Sequence, residues 1–239
     1  MRLVAFAAAL LSTTAWAWPV EKVIELELGK DTILRMGAAD WFEIDDPKVV
    51  SAEVLDSGDE MLFTPKAAGR ALMMTYIEGK PLVWSIHVGK PFDPKAQQAS
   101  LAATLKACPK LAHKPGEYEK LVGDVLDAKC RSALLETLKL DLFEAKDVSL
   151  TIEAQVLVAQ LNELRAALTA AKSPVAAHYE GATLVLEGKT DLPALKRALW
   201  EAFRHSAFRV ALDNRAEVEV DGGSPPPSEE GAGSAKRRP

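Results

Sequence analysis

Val23-Ile24-Glu25-Leu26-Glu27-Leu28-Gly29-Lys30 runs into Thr32-Ile33-Leu34-Arg35-Met36. Further on come Ala71-Leu72-Met73-Met74-Thr75-Tyr76 and Leu82-Val83-Trp84-Ser85-Ile86-His87-Val88. Most of these short runs alternate apolar with polar residues, which puts the apolar side chains of a strand on one face. Between the runs stand Gly29-Lys30, Asp46-Pro47, Ser57-Gly58-Asp59, Ala68-Gly69 and Glu78-Gly79-Lys80. Glycine, proline and short acids supply the backbone angles that tight turns need. The stretch predicts a compact, mostly β domain of hairpins over residues 22–90.

In order, the strands are expected at Val23–Leu28, Thr32–Met36, Val49–Val54, Glu60–Pro65, Ala71–Tyr76 and Pro81–Val88, with Asp40–Ile44 leading into the Asp45-Asp46-Pro47 turn. Six or seven strands in so short a span make a small sandwich or open barrel. His87 alternates with Trp84 and Ile86 in its strand and is expected to point outward.

The order of motifs carries a resemblance. Leu28-Gly29-Lys30, Leu34-Arg35, Asp46-Pro47-Lys48-Val49-Val50, Leu62-Phe63-Thr64-Pro65-Lys66-Ala67-Ala68-Gly69 and Ile86-His87-Val88-Gly89 follow one another at sensible spacing. Together they resemble the N-terminal domain of pilus-assembly and type II/III secretin proteins. The resemblance implies a periplasmic interaction module in an envelope-spanning pilus or secretion assembly, and no catalysis.

Upstream, Met1-Arg2 gives a positive start, Leu3 to Leu11 is an apolar core, and Ala15-Trp16-Ala17 is a small-residue cleavage site. Residues 1–17 therefore read as a secretory signal peptide, cleaved near Ala17 and too short to span a bilayer. No later segment approaches the length of a membrane span, so a soluble, exported, periplasmic product is expected. Net charge is −5 and the pI about 5.5, so a general nucleic-acid footprint is absent.

Downstream, Lys90-Pro91-Phe92-Asp93-Pro94-Lys95 is a linker with two prolines and no periodicity. Beyond it the chain repeats itself. At an ungapped offset of 65, Thr104 meets Thr169, Pro109 meets Pro174, and Ala112-His113 meets Ala177-His178. Gly123 meets Gly188, Ala133-Leu134 meets Ala198-Leu199, Glu136 meets Glu201 and Phe143 meets Phe208. Such a density of identities marks a duplication. Amphipathic helices are expected at Gln98–Ala107 and Ala154–Ala171, then strands at Tyr118–Val122 and Thr183–Leu186. Second helices follow at Ala128–Leu140 and Leu192–His205, with closing strands at Val148–Ile152 and Ala216–Val220. Each copy is then a small α+β lobe of helix, one or two strands, helix and strand, over 98–153 and 154–221. His113 and His178 are expected at equivalent loop positions. Leu184-Val185-Leu186-Glu187-Gly188-Lys189-Thr190 resembles the strand before a helix in BON-like and ring-building modules, which follow the N-terminal domain in secretin-type proteins. Residues 222–239, rich in glycine, serine and proline, have a disordered composition.

An exported chain with two cysteines is a candidate for one disulfide, Cys108–Cys130, whose loop closure is worth roughly 3 kcal/mol. Free thiols or a two-cysteine metal site are the alternatives, though no histidine lies near either cysteine in a zinc pattern. The copy-two equivalents, Ser173 and Leu195, make the bridge specific to the first lobe.

Chemistry-bearing motifs are scarce. The histidines are scattered, phosphate and calcium loops are absent, and the paired acids Asp45-Asp46 and Asp59-Glu60 fall in turns. No cofactor, no metal and no catalytic residue is expected. Trp41-Phe42, following a Gly-Ala-Ala-Asp loop, is the candidate partner-contact patch. The fold class is α+β: a small all-β N-terminal domain and two duplicated lobes. The function expected is that of an exported, non-enzymatic adaptor of a pilus-assembly or secretion system. Its partners would be a secretin or other machine components, and self-association fits lobes of a kind that pack side by side into rings. Since only a tail follows Val220, the chain is not expected to form the pore itself. The alternative is an envelope-binding protein contacting peptidoglycan or lipid.

Overall fold

A computed structural model describes residues 20–89, 93–115, 120–181, 183–206 and 212–218. The expected signal peptide (1–17) and tail (222–239) lie outside the described residues. The molecule is α+β, with thirteen strands and four helices among those residues.

The N-terminal head holds seven strands: β1 (Val20–Leu26), β2 (Thr32–Arg35), β3 (Trp41–Ile44), β4 (Val50–Val54), β5 (Glu60–Pro65), β6 (Gly69–Ile77) and β7 (Lys80–Val88). They form two sheets, β1-β7-β6-β3 and β2-β5-β4. The hairpin β6–β7 is antiparallel, whereas β1 lies parallel to β7, with Ile24 opposite Ile86 and Leu26 opposite Val88. Ile24, Leu26, Val50, Met61, Phe63, Met73, Ile86 and Val88 fill the space between the sheets. This burial removes apolar surface from water at about 25 cal/mol per Å² and is the main favourable term for the sandwich.

The larger sheet is covered on both sides. Successive strand residues point to opposite faces, and the register puts Phe42, Ile44, Met73 and Ile86 on the sandwich side. Trp41, Leu72, Met74, Tyr76 and Val83 take the other side. Met74 and Val83 are fully buried there, in a core shared with residues from the end of the chain.

Two lobes follow. The first contains α1 (Pro94–Ala107), β8 (Leu111–Lys114), β9 (Lys120–Val125), α2 (Ala128–Leu138) and β10 (Val148–Ile152). The second contains α3 (Ala154–Ala170), β11 (Ala176–Glu180), β12 (Thr183–Thr190), α4 (Leu192–Ser206) and β13 (Leu212–Val218). Both sheets are built alike. The first two strands pair antiparallel, and the strand after the second helix adds in parallel to the middle one. The helix starts are written locally. Asp93 accepts from the Lys95 amide at 2.9 Å ahead of Pro94, and Asp127 from the Cys130 amide at 2.8 Å. Such caps satisfy helix amides that have no partner in the helix.

The duplication is slightly out of register. Leu111 sits opposite Gly123, while Val175 sits opposite Gly188, so the second hairpin is one residue longer. His113 therefore corresponds in space to the buried Ala177, not to His178. The two histidines also lie on strands rather than in loops, and on opposite faces. The one-residue slip exchanges faces because the strand repeat is two. The histidine identity at offset 65 is thus no structural equivalence.

Candidate functional site

Polar side chains concentrate where the three units meet. The first meeting point is Asp141, just past the end of α2, with a φ of +52°. A short acid tolerates this left-handed conformation better than most side chains, and its amide donates to the Leu138 carbonyl at 3.1 Å. The carboxylate is fully enclosed. Arg70 of β6 donates to it twice, from Nε at 2.5 Å and Nη2 at 2.9 Å. From β7, the Ser85 hydroxyl donates to it and His87 Nε2 lies 2.9 Å away. Burial pushes the Asp141 carboxyl up, but contacts with His87, Arg70 and Ser85 and the Arg70 charge outweigh this and hold it below the usual carboxylate value.

His87 is thus buried, contrary to the outward orientation expected of it. Its strand has no solvent face, because the side holding Val83, Ser85 and His87 packs on the lobes. Serine, histidine and aspartate meet here, but not in a hydrolytic order. A triad places histidine between serine and acid, whereas here serine and histidine both approach Asp141 Oδ2. The arrangement ties head to first lobe. Beside it, the Val23 amide of β1 donates to Glu144 Oε1 at 3.1 Å. Burial raises the Glu144 carboxyl, yet Lys146 and the Val23 amide together lower it.

The second meeting point is Arg131, buried on α2. It forks onto Glu163 at 3.0 and 2.8 Å, donates to Gln160 at 3.2 Å and reaches the His205 carbonyl at 2.9 Å. Gln160 passes the contact on to the Tyr179 hydroxyl at 2.8 Å. Burial pushes the Tyr179 phenol up, against the hydrogen bond from Gln160 and the Arg131 charge. One planar guanidinium thereby joins α2 of the first lobe to α3 and α4 of the second.

The third joins the second lobe back to the head. Trp41 stacks on Tyr76 at 5.2 Å, Lys196 of α4 lies 4.8 Å from the Trp41 ring, and Asn214 donates to the Tyr76 hydroxyl at 2.6 Å. Around them, Val20, Met74 and Val83 share one core with Leu195, Leu199 and Trp200. Trp41 and Phe42, the expected partner-contact pair, both have partners inside the molecule. Trp41 is half-buried in this seam, and Phe42 packs on the sandwich core from the opposite face of β3.

Cys108 and Cys130 are joined, with Cα atoms 4.8 Å apart, linking the end of α1 to the first turn of α2. His178 faces Glu180 and Glu187 at 3.4 and 3.5 Å, and His205 faces Glu201 at 3.3 Å. Among the described residues no three His, Cys, Asp or Glu side chains are grouped to hold a metal ion. No helix there is long and apolar enough to cross a membrane. An open groove of about 370 Å³ runs along α1, lined by Gln98, Leu101, Ala102, Leu105, His113 and Leu142.

Sequence reading missed the residues that make these seams. A faint signal existed in β7, where Val83, Ser85 and His87 share one face. An apolar residue followed by small and titratable ones fits a polar packing face as well as a solvated one. Nothing local marks Asp141 or Arg131 as partners of residues far along the chain.

No protein-family model matches the sequence, and no curated protein does. Among solved structures, one similar chain is the C-terminal domain of CdsD, the structural protein of the type III secretion system of Chlamydia trachomatis. It is 16% identical, with 56% of this chain and 71% of that chain covered and a TM-score of 0.26. A further structure of CdsD is also 16% identical, with 58% and 69% covered and a TM-score of 0.24.

Proposed function

We propose that this chain is an exported, non-enzymatic adaptor of a bacterial pilus-assembly or secretion system, acting in the periplasm through protein contacts. One observation carries the reading: a β head whose motifs resemble the secretin N-terminal domain precedes two copies of an α-β-β-α-β lobe. Supporting it, the buried ionic groups Asp141 and Arg131 are engaged in holding these units together. The signal-like start of the sequence supports export. A secretin or another envelope component of the machine is the partner proposed.

The test is co-purification of the tagged, full-length chain from detergent-solubilised envelopes, followed by mass spectrometry. Recovery of a pilus or secretion component is the expected result. Sedimentation with lipid vesicles or isolated peptidoglycan, with no such component recovered, would overturn the adaptor reading in favour of direct envelope binding.

A further inference from the structure

The groove along α1 is lined by residues other than those that make the seams. Leu101, Ala102 and Leu105 come from the helix, His113 from β8 and Leu142 from the loop after α2. Its walls are held in place from within the lobe. Gln97 Nε2 donates to the Leu140 carbonyl at 2.9 Å, tying that loop to the helix. The His113 ring meets Phe143 edge-on at 6.0 Å, and the disulfide pins the far end of α1 to α2. A groove formed in advance needs little ordering when a ligand enters it.

Its surroundings are basic. From Pro94 to Lys114 the chain has four lysines and no Asp or Glu, although the whole chain has 34 acids against 29 Lys and Arg. Asp93, just outside this stretch, is engaged as the cap of α1. Lys95 stands three residues before Gln98 and Lys106 four after Ala102, spacings that place them on the same side of the helix as those lining residues. Both lysines are exposed, and eleven residues of helix set them roughly 16 Å apart along its axis. The groove is therefore an apolar trough with a cation at each end. An anionic lipid concentrates its charge in a headgroup at one end of its chains, whereas these cations are separated by the length of the groove. A peptide helix can carry acids at both ends of one apolar stripe.

We propose that the α1 groove binds an acidic amphipathic helix of another protein, its apolar stripe against Leu101 and Leu105 and its acids beside Lys95 and Lys106. This names the chemistry of one partner of the adaptor proposed above, and it rests on that reading only in taking the partner to be a protein. Peptide binding and co-purification are separate measurements, so failure of the groove leaves a recovered machine component standing.

The experiment selects binders to the full-length protein from displayed random peptides of about twelve residues, long enough to cross the groove as a helix. Selected peptides are then titrated by fluorescence anisotropy against the parent and two variants, with circular dichroism as the check on folding. Ala102→Arg obstructs the groove from an exposed helix position. Lys95→Glu with Lys106→Glu reverses its charge and stands in should Ala102→Arg not fold. The expected peptides carry apolar residues three or four apart, flanked by Asp or Glu, and bind less tightly as salt is added. Ala102→Arg should weaken them by about tenfold or more and the lysine reversal by roughly tenfold. Peptides whose acids are replaced by lysine should regain affinity for the reversed variant. Failure to enrich any peptide, a neutral or basic consensus, or affinities that the folded variants leave unchanged would each overturn the proposal. So would binding of phosphatidylglycerol vesicles that Ala102→Arg abolishes, which would give the groove to lipid instead.

Discussion

Asp141 combines three unfavourable features: a left-handed backbone, a fully buried carboxylate and a position between two leucines. It persists because Arg70, Ser85 and His87 converge on it from two strands of another unit. Removing one partner of a buried ion pair strands the other charge, a loss of about 3 kcal/mol or more. Asp141→Asn is therefore expected to lower stability at neutral pH by about that amount, read from urea midpoints. The pH dependence has a definite sign. The folded carboxyl sits below its ordinary value. Its contribution is therefore complete above the unfolded carboxylate pKa, near 4, and is lost as pH falls through the lower folded value. Stability of the parent should fall through that acid window, and the difference between parent and Asp141→Asn should shrink with it. A constant difference down to the bottom of the window would show that another group carries the dependence. None of this could be read around residue 141, because a carboxylate's pKa is set by partners that only packing supplies.

The repeated hairpins depend on Gly123 and Gly188, with φ of +131° and +129°. A Cβ on Gly123 would sit 2.0 Å from the Lys110 carbonyl oxygen, and one on Gly188 2.9 Å from that of Pro174. Both replacements force a conformation that side-chain-bearing residues resist, at about 1–3 kcal/mol. Each also brings the new Cβ against a backbone carbonyl, and the overlap is far deeper at Gly123. Thermal melts should show both alanine variants destabilised, Gly123→Ala clearly the more. Equal effects would mean that conformation alone, not the close approach, decides. At the same scale, the Cys108–Cys130 bridge pins α1 to α2 in one copy only. Replacing both cysteines with serine is expected to cost roughly 3 kcal/mol, measured by denaturant titration against the oxidised parent. Element types were largely legible: strand alternation and the 3.6-residue helical pattern act within a few residues. The short strands β8 and β11 were not, for Leu111–Lys114 and Ala176–Glu180 offer too few residues to establish a period.

Across the whole molecule, head and lobes are tied in a closed circuit, through Asp141, Arg131 and the Trp41–Lys196 seam in turn. Such coupling predicts cooperative unfolding. Of the five tryptophans, Trp16 and Trp18 precede the head, Trp41 and Trp84 lie in it and Trp200 lies in the second lobe, while residues 93–153 contain none, so fluorescence and far-UV circular dichroism weigh the units differently. In the parent the two probes should trace one transition. Arg131→Ala removes charge-assisted hydrogen bonds worth about 2 kcal/mol and should split the transitions, the first lobe melting apart from the rest. Coincident curves in that variant would place the coupling elsewhere.

The sequence by itself determined the α+β class, the β head, the duplication and the helix start at Asp127. Each follows from side-chain periodicity, turn chemistry or capping within a few residues. Helix α1 instead begins at Pro94, inside the stretch expected to be linker, because Asp93 caps it and proline fits a first helical turn. Tertiary structure alone decided what the polar residues do. Arg70 and Asp141 are 71 positions apart and Arg131 and Glu163 are 32 apart, and those pairs form only when separately folded units pack. It also decided the place of Trp41, whose neighbours in the chain suggest an exposed loop edge. Tyr76 and Lys196, brought from opposite ends of the sequence, enclose it because covering the apolar face of the head's larger sheet buries more surface than leaving it to water.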